Sequence, residues 1–179
     1  MVRAYQKFWK YLGKKFNLET FIETGTADGT TSDQVRDGFK DVYTIEFTSH
    51  WHENAMARFA GTNVHPIRGD SKTRLRELLL EIPNTRTLFF LDAHFHGPPQ
   101  PDGKPGVLLN DPLPGEIPAI MELRPDSLIV IDDQIDDKLE TVRSAGVDLT
   151  GWTTIFDDYR MVMMYKNGSG LYWPSEFNE

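Results

Sequence analysis

Phe21-Ile22-Glu23-Thr24-Gly25-Thr26-Ala27-Asp28-Gly29-Thr30-Thr31 is the stretch of this chain whose residue types and spacing first suggest chemistry. An apolar run ends in an acid, a glycine turn follows, and a threonine pair is placed to start a helix. Gly25 lets the chain turn sharply and approach a ligand, and Gly29 lets the following helix pack close to the sheet. Asp28 and Thr30 are candidate caps for that helix. The next apolar strand, Val42-Tyr43-Thr44-Ile45-Glu46, also ends in an acid. A carboxylate about 20 residues past the glycines, at the tip of the second strand, can accept both ribose hydroxyls of an adenosine. The glycines lack the Gly-x-Gly-x-x-Gly spacing that seats a pyrophosphate at a helix N-terminus, and Asp28 puts negative charge where phosphates would lie. That combination disfavours NAD and favours a cofactor with a cationic centre, although a glycine turn can also be a plain loop.

Further acids stand at strand ends. In Gly69-Asp70-Ser71, Asp70 can accept from an adenine amino group and Ser71 can hold a ring nitrogen; Asp70 can equally cap the next helix. Leu88-Phe89-Phe90-Leu91-Asp92-Ala93-His94 and Leu128-Ile129-Val130-Ile131-Asp132-Asp133 place Asp92, Asp132 and Asp133 at two more tips. If those strands flank the first, the three carboxylates converge on one rim. Unneutralised, they repel and some must protonate. A hard divalent ion resolves the repulsion, and oxygen-only ligands with open positions suit Mg²⁺. The alternative is three separate helix caps. His94, two residues past Asp92, has an unperturbed pKa suited to proton transfer near neutrality and is a candidate general base.

The elements that position these residues follow from the pattern. Strands are expected at Thr20–Glu23, Asp41–Glu46, Asn63–Arg68, Thr87–Asp92 and Ser127–Asp132. Helices are expected from Thr30 to about Phe39, His50 to Ala60, Lys72 to Ile82, Glu116 to Leu123 and Asp136 to Ala145. Such alternation means βαβ units and a parallel sheet with right-handed crossovers. After Gly151, Thr153–Phe156 and Met161–Tyr165 are joined by a link too short for anything but an antiparallel hairpin. Before the sheet, Tyr5, Phe8, Trp9 and Leu12 fall at helical spacing among lysines. This segment, residues 1–17, reads as an amphipathic helix on the domain edge, a roof over the pocket, or a membrane-surface element. Residues 97–115 hold six of the eleven prolines and leave from the edge where ligands bind in such sheets. They read as an active-site loop or a tolerated insertion.

Composition bounds the rest. The 179 residues suit a single domain, with 39% hydrophobic and 26% charged content. A net charge of −8 argues against nucleic acid as a partner. There is no cysteine, which excludes disulfides, thiolate metal sites and a thiol nucleophile and suits the cytoplasm. No apolar stretch is long enough to span a membrane.

Together, these segments resemble a class I S-adenosylmethionine-dependent methyltransferase from Thr20 to about Tyr165. Glu23 to Gly29 is similar to that family's first motif, with Ala27 where a middle glycine often stands. Val42 to Glu46 resembles the second motif, and Arg68-Gly69-Asp70-Ser71 the adenine-side turn. The aspartate tips narrow the resemblance to small metal-assisted sugar and macrolide O-methyltransferases and the cephalosporin-hydroxylase-like group. The resemblance implies an α/β, doubly wound, Rossmann-like sheet of seven mostly parallel strands with a C-terminal antiparallel hairpin and helices on both faces. It implies adenosylmethionine at Glu23, Gly25, Thr26, Asp28, Gly29, Glu46, Asp70 and Ser71, and Mg²⁺ at Asp92, Asp132 and Asp133. The expected activity is methylation of a hydroxyl on a small-molecule or glycan acceptor, with His94 or Asp92 taking the proton, in a protein that could self-associate. The rival readings are a metal-dependent hydrolase using the Asp/His rim and a non-catalytic binding module on the same fold.

Overall fold

The computed structural model describes residues 2–93, 95, 96, 108–132, 138–157, 161–169 and 171. The chain opens with helix α1 (Val2–Phe16), then β1 (Thr20–Thr24), α2 (Thr30–Val35), a single 3₁₀ turn, β2 (Asp41–Glu46), α3 (Ser49–Arg58) and β3 (Val64–Arg68). It continues through α4 (Ser71–Glu81), β4 (Thr87–Leu91), the short strands β5 (Phe95–His96) and β6 (Leu108–Asn110), and α5 (Leu113–Leu123). The last elements are β7 (Leu128–Ile131), α6 (Lys138–Ser144), β8 (Trp152–Asp157) and β9 (Met161–Lys166).

Seven strands form one sheet in the order β3-β2-β1-β4-β7-β9-β8. The first five are parallel, and β9 runs antiparallel to both β7 and β8. This is the expected sheet, hairpin included. Strand order reverses between β1 and β4, and in an open α/β sheet the crevice beyond the carboxyl ends at such a reversal is where ligands bind. β1, β4 and β7 are buried along their whole length, which is why they read as unbroken apolar runs.

Two cores sandwich the sheet. On one face Trp9, Leu12 and Phe16 of α1, Val35 of α2 and Phe59 after α3 cover Phe21, Phe90 and Val130. On the other, Leu75 and Leu79 of α4, Leu113 and Ile117 of α5 and Leu139 of α6 cover Ile22, Phe89 and Ile129. No helix among the described residues is long and apolar enough to cross a membrane.

The structure corrects four local expectations. α1 does not sit on the domain edge: Trp9 packs over the central strands, its ring 5.1 Å from Phe90 and 6.2 Å from Phe21. The α-helical turns of α2 end at Val35, and a 3₁₀ turn, Arg36–Gly38, completes the segment. Helix α5 begins at Leu113 rather than Glu116, because Pro114 occupies a first-turn position where its missing N–H costs nothing and Asp111 accepts from the Leu113 amide. Finally, the proline-rich segment is narrower than 97–115. Its end is strand β6, which pairs antiparallel with β5, and then the start of α5. Residues 97–107 lie outside the described residues.

Candidate functional site

The turn after β1 is built by backbone geometry. Gly25 has φ 88°, in the left-handed region, and its N–H donates to the Ile45 carbonyl at 2.9 Å. A Cβ at this position would stand 2.7 Å from the Asp92 carbonyl oxygen, so only glycine lets the β1 turn lie against the end of β4. Ala27 also has positive φ, 45°, at the position where the resembling family often carries glycine. Gly29 does not serve sheet packing as expected; a Cβ there would stand 2.9 Å from the Phe59 ring at the end of α3.

Glu46 closes this turn. It is 6% exposed, and its Oε2 accepts from the Ala27 amide at 3.0 Å while Oε1 accepts from the Thr48 amide at 2.7 Å. One carboxylate therefore ties the turns after β1 and β2 together, and each oxygen keeps a second lone pair for a ligand hydroxyl. The Gly69 amide donates to the Glu46 carbonyl at 3.0 Å and brings the β3 turn into the same assembly.

Glu23 lies beneath the turn. At 1% exposure, its Oε2 accepts from Ser32 Oγ at 2.6 Å and from Thr44 Oγ1 at 2.7 Å. Thr44 is in turn bonded to Thr26 Oγ1 at 2.6 Å. Burial raises the Glu23 pKa to about 7, against the lowering pull of those hydroxyls. Glu23 and Thr26 thus act on the cradle by fixing β1, β2 and α2 to one another. Asp28 is exposed and accepts from both the amide and the hydroxyl of Thr30, at 2.9 and 2.8 Å; these bonds hold its carboxyl below the usual range. Asp70 caps α4 by accepting from the Lys72 amide at 3.0 Å, and Ser71 beside it is buried.

The register sets the ends of the strands that carry the expected acids side by side. The Asp92 amide donates to the Thr24 carbonyl at 3.0 Å and the Asp132 amide to the Leu91 carbonyl at 3.1 Å, so the ends of β1, β4 and β7 stand side by side. Asp133 and His94 lie outside the described residues. Among the described residues no three His, Asp or Glu side chains are grouped so as to hold a metal.

Sequence reading passed over four contributors. Phe47, next to Glu46, is 68% exposed with the Arg68 guanidinium 5.6 Å from its ring centre. Ser32 and Thr44 escaped notice because a buried hydroxyl partner looks like any strand or helix serine or threonine. Glu116, in the first turn of α5, is fully buried. It was legible in principle, since position 116 falls within the apolar stripe Leu113, Ile117, Ile120.

No protein-family model and no curated protein matches the sequence. Solved structures do. An O-methyltransferase from Bacillus cereus in complex with SAH aligns with TM-score 0.66 at 14% identity, over 92% of this chain and 81% of that one. SAH-bound methyltransferase PaMTH1 from Podospora anserina gives 0.64 at 13% identity, over 92% and 79%. The O-methyltransferase TomG from Streptomyces achromogenes, involved in tomaymycin synthesis and solved with SAM, gives 0.62 at 20% identity, over 92% and 80%. The chain therefore has the class I methyltransferase fold.

Proposed function

We propose that this chain transfers a methyl group from S-adenosylmethionine to a hydroxyl oxygen of a small-molecule or sugar acceptor, with Mg²⁺ at the aspartate rim. The observation that carries the reading is the closure of Glu46 onto the Gly25–Ala27 turn at the strand-order reversal. The residues present fit an adenosine-bearing cation. Glu46 offers two oxygens to vicinal hydroxyls, Gly25 leaves the turn free of a side chain, and the surrounding tips are acidic. Asp70 and Ser71, at the start of α4, are the groups assigned to an adenine edge, and the exposed Phe47 ring is a stacking platform for a flat base. Adenosylmethionine supplies a methyl group made electrophilic by its sulfonium charge.

Asp92 and Asp132 sit on adjacent strand ends, and with Asp133 they offer the all-oxygen donor set that a hard ion takes. Mg²⁺ held there supplies Lewis acidity that lowers the pKa of an acceptor hydroxyl. The chain's share is placement: a turn fixed by Glu23 and Glu46 beside a rim fixed by the β1-β4-β7 ladder, with His94 or Asp92 receiving the acceptor's proton. The likeness to structures solved with SAH and SAM supports the reading at the level of fold. The lack of cysteine suits the cytoplasm as its place of action.

The test is thermal unfolding with adenosylhomocysteine, crossed with Mg²⁺ and EDTA. Saturation at 100 times the dissociation constant adds about 2.7 kcal/mol, which moves the midpoint by several degrees. An unmoved midpoint removes the cofactor assignment. Methyl transfer to a panel of sugar and phenolic hydroxyls that persists in EDTA removes the metal but keeps the donor.

A further inference from the structure

Among the described residues, five buried side-chain polar atoms lack a hydrogen-bond partner: Thr24 Oγ1, Asp111 Oδ2, both carboxylate oxygens of Glu116, and Arg124 Nε. Four of the five belong to Glu116 or to residues that act on its carboxyl. Glu116 is fully buried, and the groups acting on its carboxyl are the hydroxyls of Ser71 and Thr24 and the charges of Asp111 and Asp70. The two hydroxyls lie close enough to favour its ionised form, yet neither completes a hydrogen bond to it. The charged groups acting most strongly on it are both acidic.

The arrangement is held from three sides. Thr24 ends β1, Ser71 opens α4, and Glu116 belongs to the first turn of α5, whose start Asp111 caps through its other oxygen. α5 lies directly against α4 at this end, since a Cβ on Gly115 would stand 2.4 Å from the Lys72 carbonyl oxygen. Buried polar groups ordinarily find partners, and a carboxylate left without a donor or counter-ion is the costliest exception. Glu116 is such an exception at both of its oxygens.

The geometry points to a buried Ca²⁺ site formed by Glu116, Asp111 and Thr24, with Ser71 at its margin. Every donor is oxygen, the preference of a hard cation. Two carboxylates balance a divalent charge. An enclosed, irregular set of ligands suits Ca²⁺, which accepts varied coordination, over Mg²⁺, which keeps waters and demands an octahedron. The ion stitches the tip of β1 to the starts of α4 and α5. It differs from the aspartate rim in its ligands and stands whether or not the chain binds a methyl donor.

The full-length protein, freed of metal with EDTA and dialysed into choline chloride at about pH 8 so that carboxyls are ionised, is unfolded thermally with Ca²⁺, with Mg²⁺ and with neither. Ca²⁺ is expected to raise the midpoint by several degrees. Glu116→Gln abolishes the response, and Asp132→Asn keeps it. Should Glu116→Gln fail to fold, Thr24→Val carries the test. It preserves shape and is expected to need about tenfold more Ca²⁺ for the same shift, as loss of one ligand of about 1.4 kcal/mol demands. No Ca²⁺ response in the wild type, as a merely protonated or water-filled cluster gives, overturns the site. So does a response to Mg²⁺ alone, one unchanged in Glu116→Gln or Thr24→Val, or one lost in Asp132→Asn.

Discussion

A buried carboxyl with a pKa of about 7 makes Glu23 a pH-dependent liability of known sign. Its ordinary value is 4.5, so between that pH and about 7 the folded chain holds a proton that the unfolded chain has released. The contribution is full below about pH 4.5 and is lost as pH rises through about 7; the difference is worth about 3 kcal/mol at most. Glu23→Gln keeps the shape and removes the titration. Urea unfolding from acid to mildly alkaline pH is therefore expected to show the variant gaining on the wild type as pH rises, and parallel curves would refute the assignment. Gly25 gives a second residue-scale outcome. Gly25→Ala meets both a left-handed backbone and the Asp92 carbonyl 2.7 Å from the new Cβ. The strain is about 1–3 kcal/mol, and because relief must part the β1 turn from β4, adenosylhomocysteine affinity measured by calorimetry should fall with stability. Undiminished affinity would show that the turn does not form the cradle.

At the scale of elements, α1 is a structural lid on the sheet rather than an accessory. Trp9 is buried against Phe21 of β1 and Phe90 of β4, the strands that carry the cradle and the rim. Trp9→Ala should cost about 3–5 kcal/mol and lower the melting midpoint by roughly ten degrees. A loss of only a degree or two, read by circular dichroism, would mean that the helix is dispensable. The spacing of Phe8, Trp9 and Leu12 gave away an amphipathic helix, yet helical periodicity defines a face and not the partner of that face. The start of α5 was missed for a related reason. Pro112 and Pro114 are breakers in a loop and starters at a helix N-terminus, and one sequence carries no sign of which applies. The β5–β6 ribbon went unseen because two- and three-residue strands are too short for any period to register.

Across the whole molecule, the parallel order was readable because the central strands β1, β4 and β7 are short apolar runs and each of the five parallel strands closes on, or is followed by, a glycine or an acid. What could not be read was depth. Glu23 and Glu46 look alike in sequence, each closing a strand, but one is sealed under the turn by Ser32 and Thr44 while the other faces it through Ala27 and Thr48. The alternation of side chains along β1 decides this: Glu23 points toward the α2 face, and Thr24 toward the face of α4 and α5. The same alternation turns Glu23 and Thr24, whose hydroxyl acts on the buried Glu116 carboxyl, to opposite sides of one strand end, so both cores of the molecule meet polar chemistry there.

The grip of Glu46 on the amides of Ala27 and Thr48 has a thermodynamic corollary. The wall that would receive a guest is standing before the guest arrives, so docking spends little conformational freedom on that side. Recognition at this edge is then closer to a key entering a finished lock than to a loop folding around its cargo.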